Sequence, residues 1–123
     1  MMELIYHFAE GAGYELEILN EAVITIMAVN NPDGYNYSFT DERFWRTNRW
    51  ECDNGNVGVD PNRNYPMTYT EPGNDPDCET SIYRGPAPGS EPETTAGRNL
   101  IASTESNGAF QTTFVLNVHA FVK

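Results

Sequence analysis

The chain has 123 residues, the size of one domain rather than two, and is long enough to bury about two-thirds of its unfolded surface. Eighteen Asp and Glu against seven Lys and Arg give a net charge of −11, which argues against a nucleic-acid partner because a polyanion is repelled. Apolar residues make up 39 %, and the longest apolar run, "AVITIMAV", is too short to cross a bilayer.

Residues 3–10, "ELIYHFAE", set Leu4, Ile5 and Phe8 at helical spacing, and Gly11 and Gly13 then stop the helix. The start of the chain lacks the basic residues and long apolar run of a signal peptide, so any export signal is expected outside it. Residues 22–29, "AVITIMAV", are rich in β-branched side chains and predict a buried strand. Pro32, Asp33 and Gly34 in "NNPDGYNY" supply turn chemistry, and from there to about residue 89 the chain reads as loop. A loop of that length in a compact domain is functional or cross-linked. Asn36-Tyr37-Ser38 fits a glycosylation sequon, a pattern that also arises by chance.

In "SEPE", Ser90 stands three residues before Glu93, a capping-box pattern, and Pro92 falls in a first turn. A helix is expected over 91–104 with Leu100 and Ile101 toward the core. Gly108 marks a turn, and "FQTTFVLNV" predicts a second buried strand that delivers His119 at its end. Helix, strand, long loop, helix and strand in that order predict an α/β class with at least these two strands in one sheet.

Six of the seven cations are arginine. Arg43, Arg46 and Arg49 recur every third residue in "ERFWRTNRW", and Arg63 follows in "PNRN". Cations gathered on loops of an acidic chain suit a carboxylate or phosphate, although pairing with the abundant acids is the plainer account. His119 stands where ligands bind in open α/β sheets, which fits a metal ligand, a general base or a buried structural histidine. His7 and Glu10 share one helical face with H-x-x-E spacing, which suits zinc and also an ordinary surface helix. Cys52 and Cys78 belong to no C-x-x-C pair. They are two free thiols or a disulfide, which would contribute about 3.5 kcal/mol by loop-closure entropy.

Four blocks, "NPDGYNYSFTDERFWRTNR", "GVDPNRNYP", "YRGPAPGSEPET" and "LNVHAF", resemble in order and spacing the signatures of the zinc carboxypeptidases of the carboxypeptidase A/B type. The resemblance spans nearly the whole chain. It implies an α/β/α sandwich around a mixed twisted sheet, and removal of C-terminal residues from peptides or proteins by a zinc-activated water. Under it, His119 is similar to a zinc ligand, and Arg46 to the arginine that polarises the scissile carbonyl. Asn62 and Arg63 resemble the pair that grips the terminal carboxylate. Cys52 and Cys78 resemble the disulfide of secreted members, so an extracellular location is expected. The family's remaining zinc ligands, an H-x-x-E before "NPDGY", are not transferred to His7 and Glu10, which lie too close to Asn31. "HAF" also departs from the family's usual Ser-Tyr after the histidine. Residues 1–123 are therefore expected to be a partial catalytic domain, without the H-x-x-E and catalytic-glutamate segments and inactive alone. A non-catalytic module that binds peptide carboxylates is the alternative.

Overall fold

A computed structural model of the chain describes residues 2–11, 14–53, 55, 58–105 and 115. The chain divides into two units, Met1–Asn30 and Asn31–Lys123.

In the first unit α1 (Met2–Glu10) forms where the apolar spacing predicts it. Gly11 closes it: at φ 41 its N–H reaches back to the His7 carbonyl at 3.2 Å, a left-handed cap that favours glycine. A second helix, α2 (Tyr14–Glu21), follows where the sequence suggested no element; Glu17, Leu19 and Glu21 are good helix formers. The buried strand expected at 22–29 is overturned. Residues 22–27 have no regular structure, and Val23 is 77 % exposed. A β-branched run becomes a strand only when a neighbouring strand takes its N–H and C=O groups. No described strand does so, and the Ala22 N–H goes instead to the Ile18 carbonyl at the end of α2.

The second unit opens with a helix where a turn was expected, α3 (Pro32–Thr40). Asn31 caps it: its Oδ1 accepts the Gly34 N–H at 2.9 Å, while Nδ2 donates to the Thr47 carbonyl at 2.9 Å. Pro32 sits at the first turn, where a missing N–H costs nothing. Gly34 serves close approach rather than a turn, since a Cβ there would lie 2.3 Å from the Thr47 carbonyl oxygen. The start of α3 is thus moored beside Arg46.

From 41 to 89 the described chain is irregular, as expected, apart from a 3-10 turn (Pro61–Arg63) and isolated bridge residues, among them Asp75 and Tyr83, which form a parallel bridge. The disulfide Cys52–Cys78 cross-links it. Cys52, Val59 and Tyr83 are buried together, with Cys78 packed against them. Burial, helped by the nearby Tyr69 and Glu91, pushes the Tyr83 hydroxyl above its ordinary pKa, and Arg84 opposes this.

Buried asparagines replace the missing ladders. Asn48 exchanges two hydrogen bonds with Val59: its N–H donates to the Val59 carbonyl at 2.9 Å, and its Oδ1 accepts the Val59 N–H at 2.7 Å. Its Nδ2 donates to Glu91 Oε2 at 2.6 Å and to Glu93 Oε2 at 3.3 Å. These bonds satisfy buried polar groups that would otherwise each cost about 1–3 kcal/mol.

The last described helix, α4 (Pro92–Glu105), matches its expected span. The expected capping box is not formed. Ser90 Oγ donates to Glu91 Oε1 at 2.7 Å, and Glu93 turns to Asn48 instead of back to the cap. Two acids at this helix start also suit its positive dipole end. Leu100 is half-buried, but Ile101 is exposed; the buried face belongs to Glu93, Thr94 and Gly97. The predicted strand at 110–118 and His119 lie outside the described residues, Val115 excepted.

Candidate functional site

The segment from Gly58 to Asn64 begins at a glycine that nothing else fits. Gly58 has φ 107, and a Cβ there would stand 1.9 Å from Thr47 Oγ1. Val59 is fully buried, and Asp60 follows at 2 % exposure. Asp60 then starts the 3-10 turn as its cap. Its Oδ1 accepts the Asn62 N–H at 3.1 Å, its carbonyl accepts the Arg63 N–H at 2.8 Å, and its own N–H donates to the Tyr83 carbonyl at 2.8 Å. Pro61 at the first position is preset for this geometry.

The turn presents Asn62 and Arg63 as neighbours, both half-buried. Among the described residues the Asn62 side-chain amide has no hydrogen-bond partner. The Arg63 side chain is 30 % exposed, with Nε 3.9 Å from Asp60 Oδ2 and without a hydrogen bond. Arg46 arrives from the other side. Its Nη2 donates to the same Asp60 Oδ2 at 2.5 Å, and its side chain is 48 % exposed. Two guanidinium groups thus converge on one buried carboxylate, leaving one net positive charge in a strongly acidic chain.

The three-residue arginine spacing does not make a single cluster. Arg49 lies over the rings of Tyr37 and Trp45, at 3.8 and 4.7 Å, and Arg43 over Phe39 at 5.9 Å. Only Arg46 of the three joins Arg63. Arg46, Trp45 and Arg49 line a cavity of about 650 Å³ against the Glu79–Ser81 segment; Asn62 and Arg63 are not in its wall.

From the sequence Asn64 is expected only to shape the loop, and it has a large role in the fold. It is fully buried, and Nδ2 donates to the carbonyls of Arg84 and Ala87 and to Ser90 Oγ, at 2.9, 3.1 and 3.0 Å. Its Oδ1 accepts the Glu91 N–H at 3.1 Å, and its carbonyl accepts the Gly89 N–H at 2.7 Å. This one side chain ties the Arg63 turn to the start of α4. Asn64→Ala is expected to lower the unfolding free energy of the whole protein by about 3 kcal/mol, because it removes all four side-chain hydrogen bonds of a fully buried amide at once. Urea denaturation checks it; a loss under about 1 kcal/mol would show that the network carries no weight.

The described residues do not fit a zinc site. They contain no group of three or more His, Cys, Asp or Glu able to hold a metal. In α1, His7 Nε2 stands 3.7 Å from Glu3 Oε1. A hydrogen bond to Glu10 is the main reason the Tyr6 hydroxyl lies above its ordinary pKa. The H-x-x-E pair is therefore engaged with other partners. Both cysteines are consumed by the disulfide, and His119 lies outside the described residues.

Sequence reasoning missed Asp60. Its sequence signal is present, since Asp before Pro is a helix-start pattern. Its pairing with Arg46, fourteen residues earlier, has no local signature.

A family model described as zinc carboxypeptidase matches residues 1–122. The chain is similar to carboxypeptidase B of Astacus astacus, 37 % identical over 114 residues, which cover 90 % of this chain and 37 % of the relative. Among solved structures it resembles the carboxypeptidase A from Helicoverpa armigera, with TM-score 0.59 and 36 % identity over 63 % of this chain and 20 % of that one. It also resembles thrombin activatable fibrinolysis inhibitor, with TM-score 0.72 and 29 % identity over 81 % of this chain and 25 % of that one. The chain thus spans little more than a third of the length of the Astacus astacus relative.

Proposed function

This chain belongs to the zinc carboxypeptidase family, and we propose that it supplies the carboxylate grip and the oxyanion arginine of an enzyme that removes the last residue of peptides or proteins. Its fold is of the α/β carboxypeptidase class. The observation that carries the proposal is the convergence of Arg46 and Arg63 on Asp60, beside the unpaired amide of Asn62.

Asn62 and Arg63 are assigned to the terminal carboxylate of the substrate. A carboxylate is planar and accepts two parallel bonds, which a guanidinium fork donates and an ammonium does not. Recognition of that group confines cleavage to chain ends. Arg46, half-exposed on the cavity wall, is assigned to the scissile carbonyl oxygen. As negative charge grows there, a preplaced cation lowers the barrier without reorganisation. His119 is assigned as one zinc ligand on the resemblance of "LNVHAF". Zinc supplies Lewis acidity and an activated water when bound. The described residues offer no further ligand, so their own part in the reaction is binding and charge stabilisation.

Residues 1–123 are proposed as a partial catalytic domain that releases no residue by itself. The disulfide supports an oxidising, extracellular location. No helix among the described residues is long and apolar enough to cross a membrane.

The test uses the whole protein with matched peptides bearing a free or an amidated C-terminus. Stepwise release of single C-terminal residues is expected only from the free form, lost with a chelator and restored by zinc. Equal cleavage of both forms overturns the carboxylate assignment. Binding without cleavage, in zinc, converts the reading to a carboxylate-binding module.

A further inference from the structure

We infer that Asn36 carries an N-linked glycan and that its first sugar packs on the exposed ring of Phe39. The inference rests on the extracellular location proposed above and is independent of the roles of Arg46, Asn62 and Arg63.

The sequon Asn36-Tyr37-Ser38 lies within α3, which sorts its residues between two faces. Gly34 is buried, and Tyr37 and Ser38, three and four residues later, are half-buried on the same side. Tyr35, Asn36, Phe39 and Thr40 form the opposite, exposed face. Among the described residues the Asn36 side-chain amide makes no hydrogen bond, while its backbone carbonyl accepts from Thr40 Oγ1 at 3.4 Å. The acceptor nitrogen is therefore open to solvent and unspent.

The segment is also open before the protein folds. α3 is nine residues long and contains no Ala, Leu, Glu, Lys or Arg, so it does not stand as a helix alone. Its cap is completed by the Thr47 carbonyl, sixteen residues after Asn31. Asn48, beside Thr47, is in turn held by Glu91, 43 residues further on. The sequon thus enters a secretory compartment as extended chain. Tyr37 at its middle position is not proline, and Ser38 supplies the required hydroxyl. The modification is a substitution. Asn36 Nδ2 bonds to the anomeric carbon of an oligosaccharide carried on a lipid diphosphate. The bond from that carbon to the diphosphate oxygen breaks, the lipid diphosphate leaves, and Nδ2 gives up one proton. Nothing is oxidised or reduced.

The second observation is the aromatic pair on the same face. Phe39 is 66 % exposed and Tyr35 55 %, with their rings edge to face at 5.0 Å. Arg43 lies over the Phe39 ring at 5.9 Å and leaves most of it in water. Removing such a ring from water is favourable. Asn36 stands three residues before Phe39, a spacing at which helical side chains are neighbours. The C–H face of a pyranose is apolar, so a sugar on Asn36 is a fitting cover for that ring.

The test uses the whole protein made in a eukaryotic secretory cell. It would be digested with a peptide N-glycosidase in heavy-oxygen water and mapped by mass spectrometry. Asn36 is expected to appear as labelled Asp in most molecules. Ser38→Ala should abolish the label and Ser38→Thr should keep it. The same map scores the Cys52–Cys78 bond. An unlabelled Asn36 in disulfide-bonded protein overturns this inference alone. An unlabelled Asn36 in reduced protein overturns the extracellular location as well.

Urea unfolding tests the packing. Asn36→Gln, which removes the glycan, is expected to lower the unfolding midpoint. In a Phe39→Ala background the same change should leave the midpoint where it was. An equal drop in both backgrounds overturns the contact with Phe39. If Phe39→Ala does not fold, Phe39→Leu takes its place, since it keeps apolar bulk without the flat ring. The drop should then shrink, and an undiminished drop again overturns the contact.

Discussion

Arg63→Ala is expected to lower kcat/KM for peptides with a free C-terminus by roughly 30-fold or more, mostly through KM. Removing one partner of a charge pair at a binding site costs about 2–5 kcal/mol. The Arg63 side chain is 30 % exposed, and its buried Nε has no hydrogen bond, so its donors are not spent within the fold. The turn should survive the change, because Asp60 Oδ1 caps it through the Asn62 N–H and Asp60 keeps Arg46. Amidated peptides never use the fork, so their slow turnover should stay as it was. The ratio of free to amidated rates is therefore the sharper readout. Arg63→Lys restores the charge without the planar fork and should recover only part of the loss. An unchanged ratio in Arg63→Ala would remove Arg63 from carboxylate recognition.

Arg46→Ala is expected to act on the other kinetic parameter. Loss of one oxyanion donor lowers kcat roughly 100- to 1000-fold while leaving ground-state binding nearly unchanged. The side chain is half-exposed and lines the 650 Å³ cavity, with one nitrogen committed to Asp60 and the rest of the fork unpaired. A stability loss will accompany the change, because Asp60 Oδ2 is left facing only Arg63 Nε at 3.9 Å. Unfolding midpoints measured on the same preparations separate that loss from catalysis. A fall in kcat under about fivefold in folded protein would rule out the oxyanion role.

Both expectations concern residues named from four short sequence blocks, and the structure changes how those residues are understood. The resemblance selected Arg46 and Arg63 together without a reason for their pairing. In the structure both lie near one buried oxygen of Asp60, inside "GVDPNRNYP", with Arg46 hydrogen-bonded to it and Arg63 Nε 3.9 Å away. The regular spacing of Arg43, Arg46 and Arg49 suggested a cluster, yet stacking on Tyr37, Trp45 and Phe39 sends two of them elsewhere. Stacking on a ring satisfies a guanidinium as a carboxylate does, and spacing alone does not distinguish the two outcomes.

The sequence by itself determined the family, the acidic balance, α1, α4 and the loop character of the long middle segment. Those features depend on residue identity over short windows: apolar spacing, glycine and proline placement, and motif order. Tertiary structure decided the rest. "NNPDGYNY" became α3 because Asn31 and Gly34 meet Thr47, and "AVITIMAV" has no strand because no described strand shares its backbone hydrogen bonds. Asn48 and Asn64 became the internal frame of the loops only because Val59, Arg84, Ala87 and Glu91 are brought to them. A hydrogen bond between residues far apart in the chain leaves no trace in the spacing of either one, whereas a helix repeats its signal every turn.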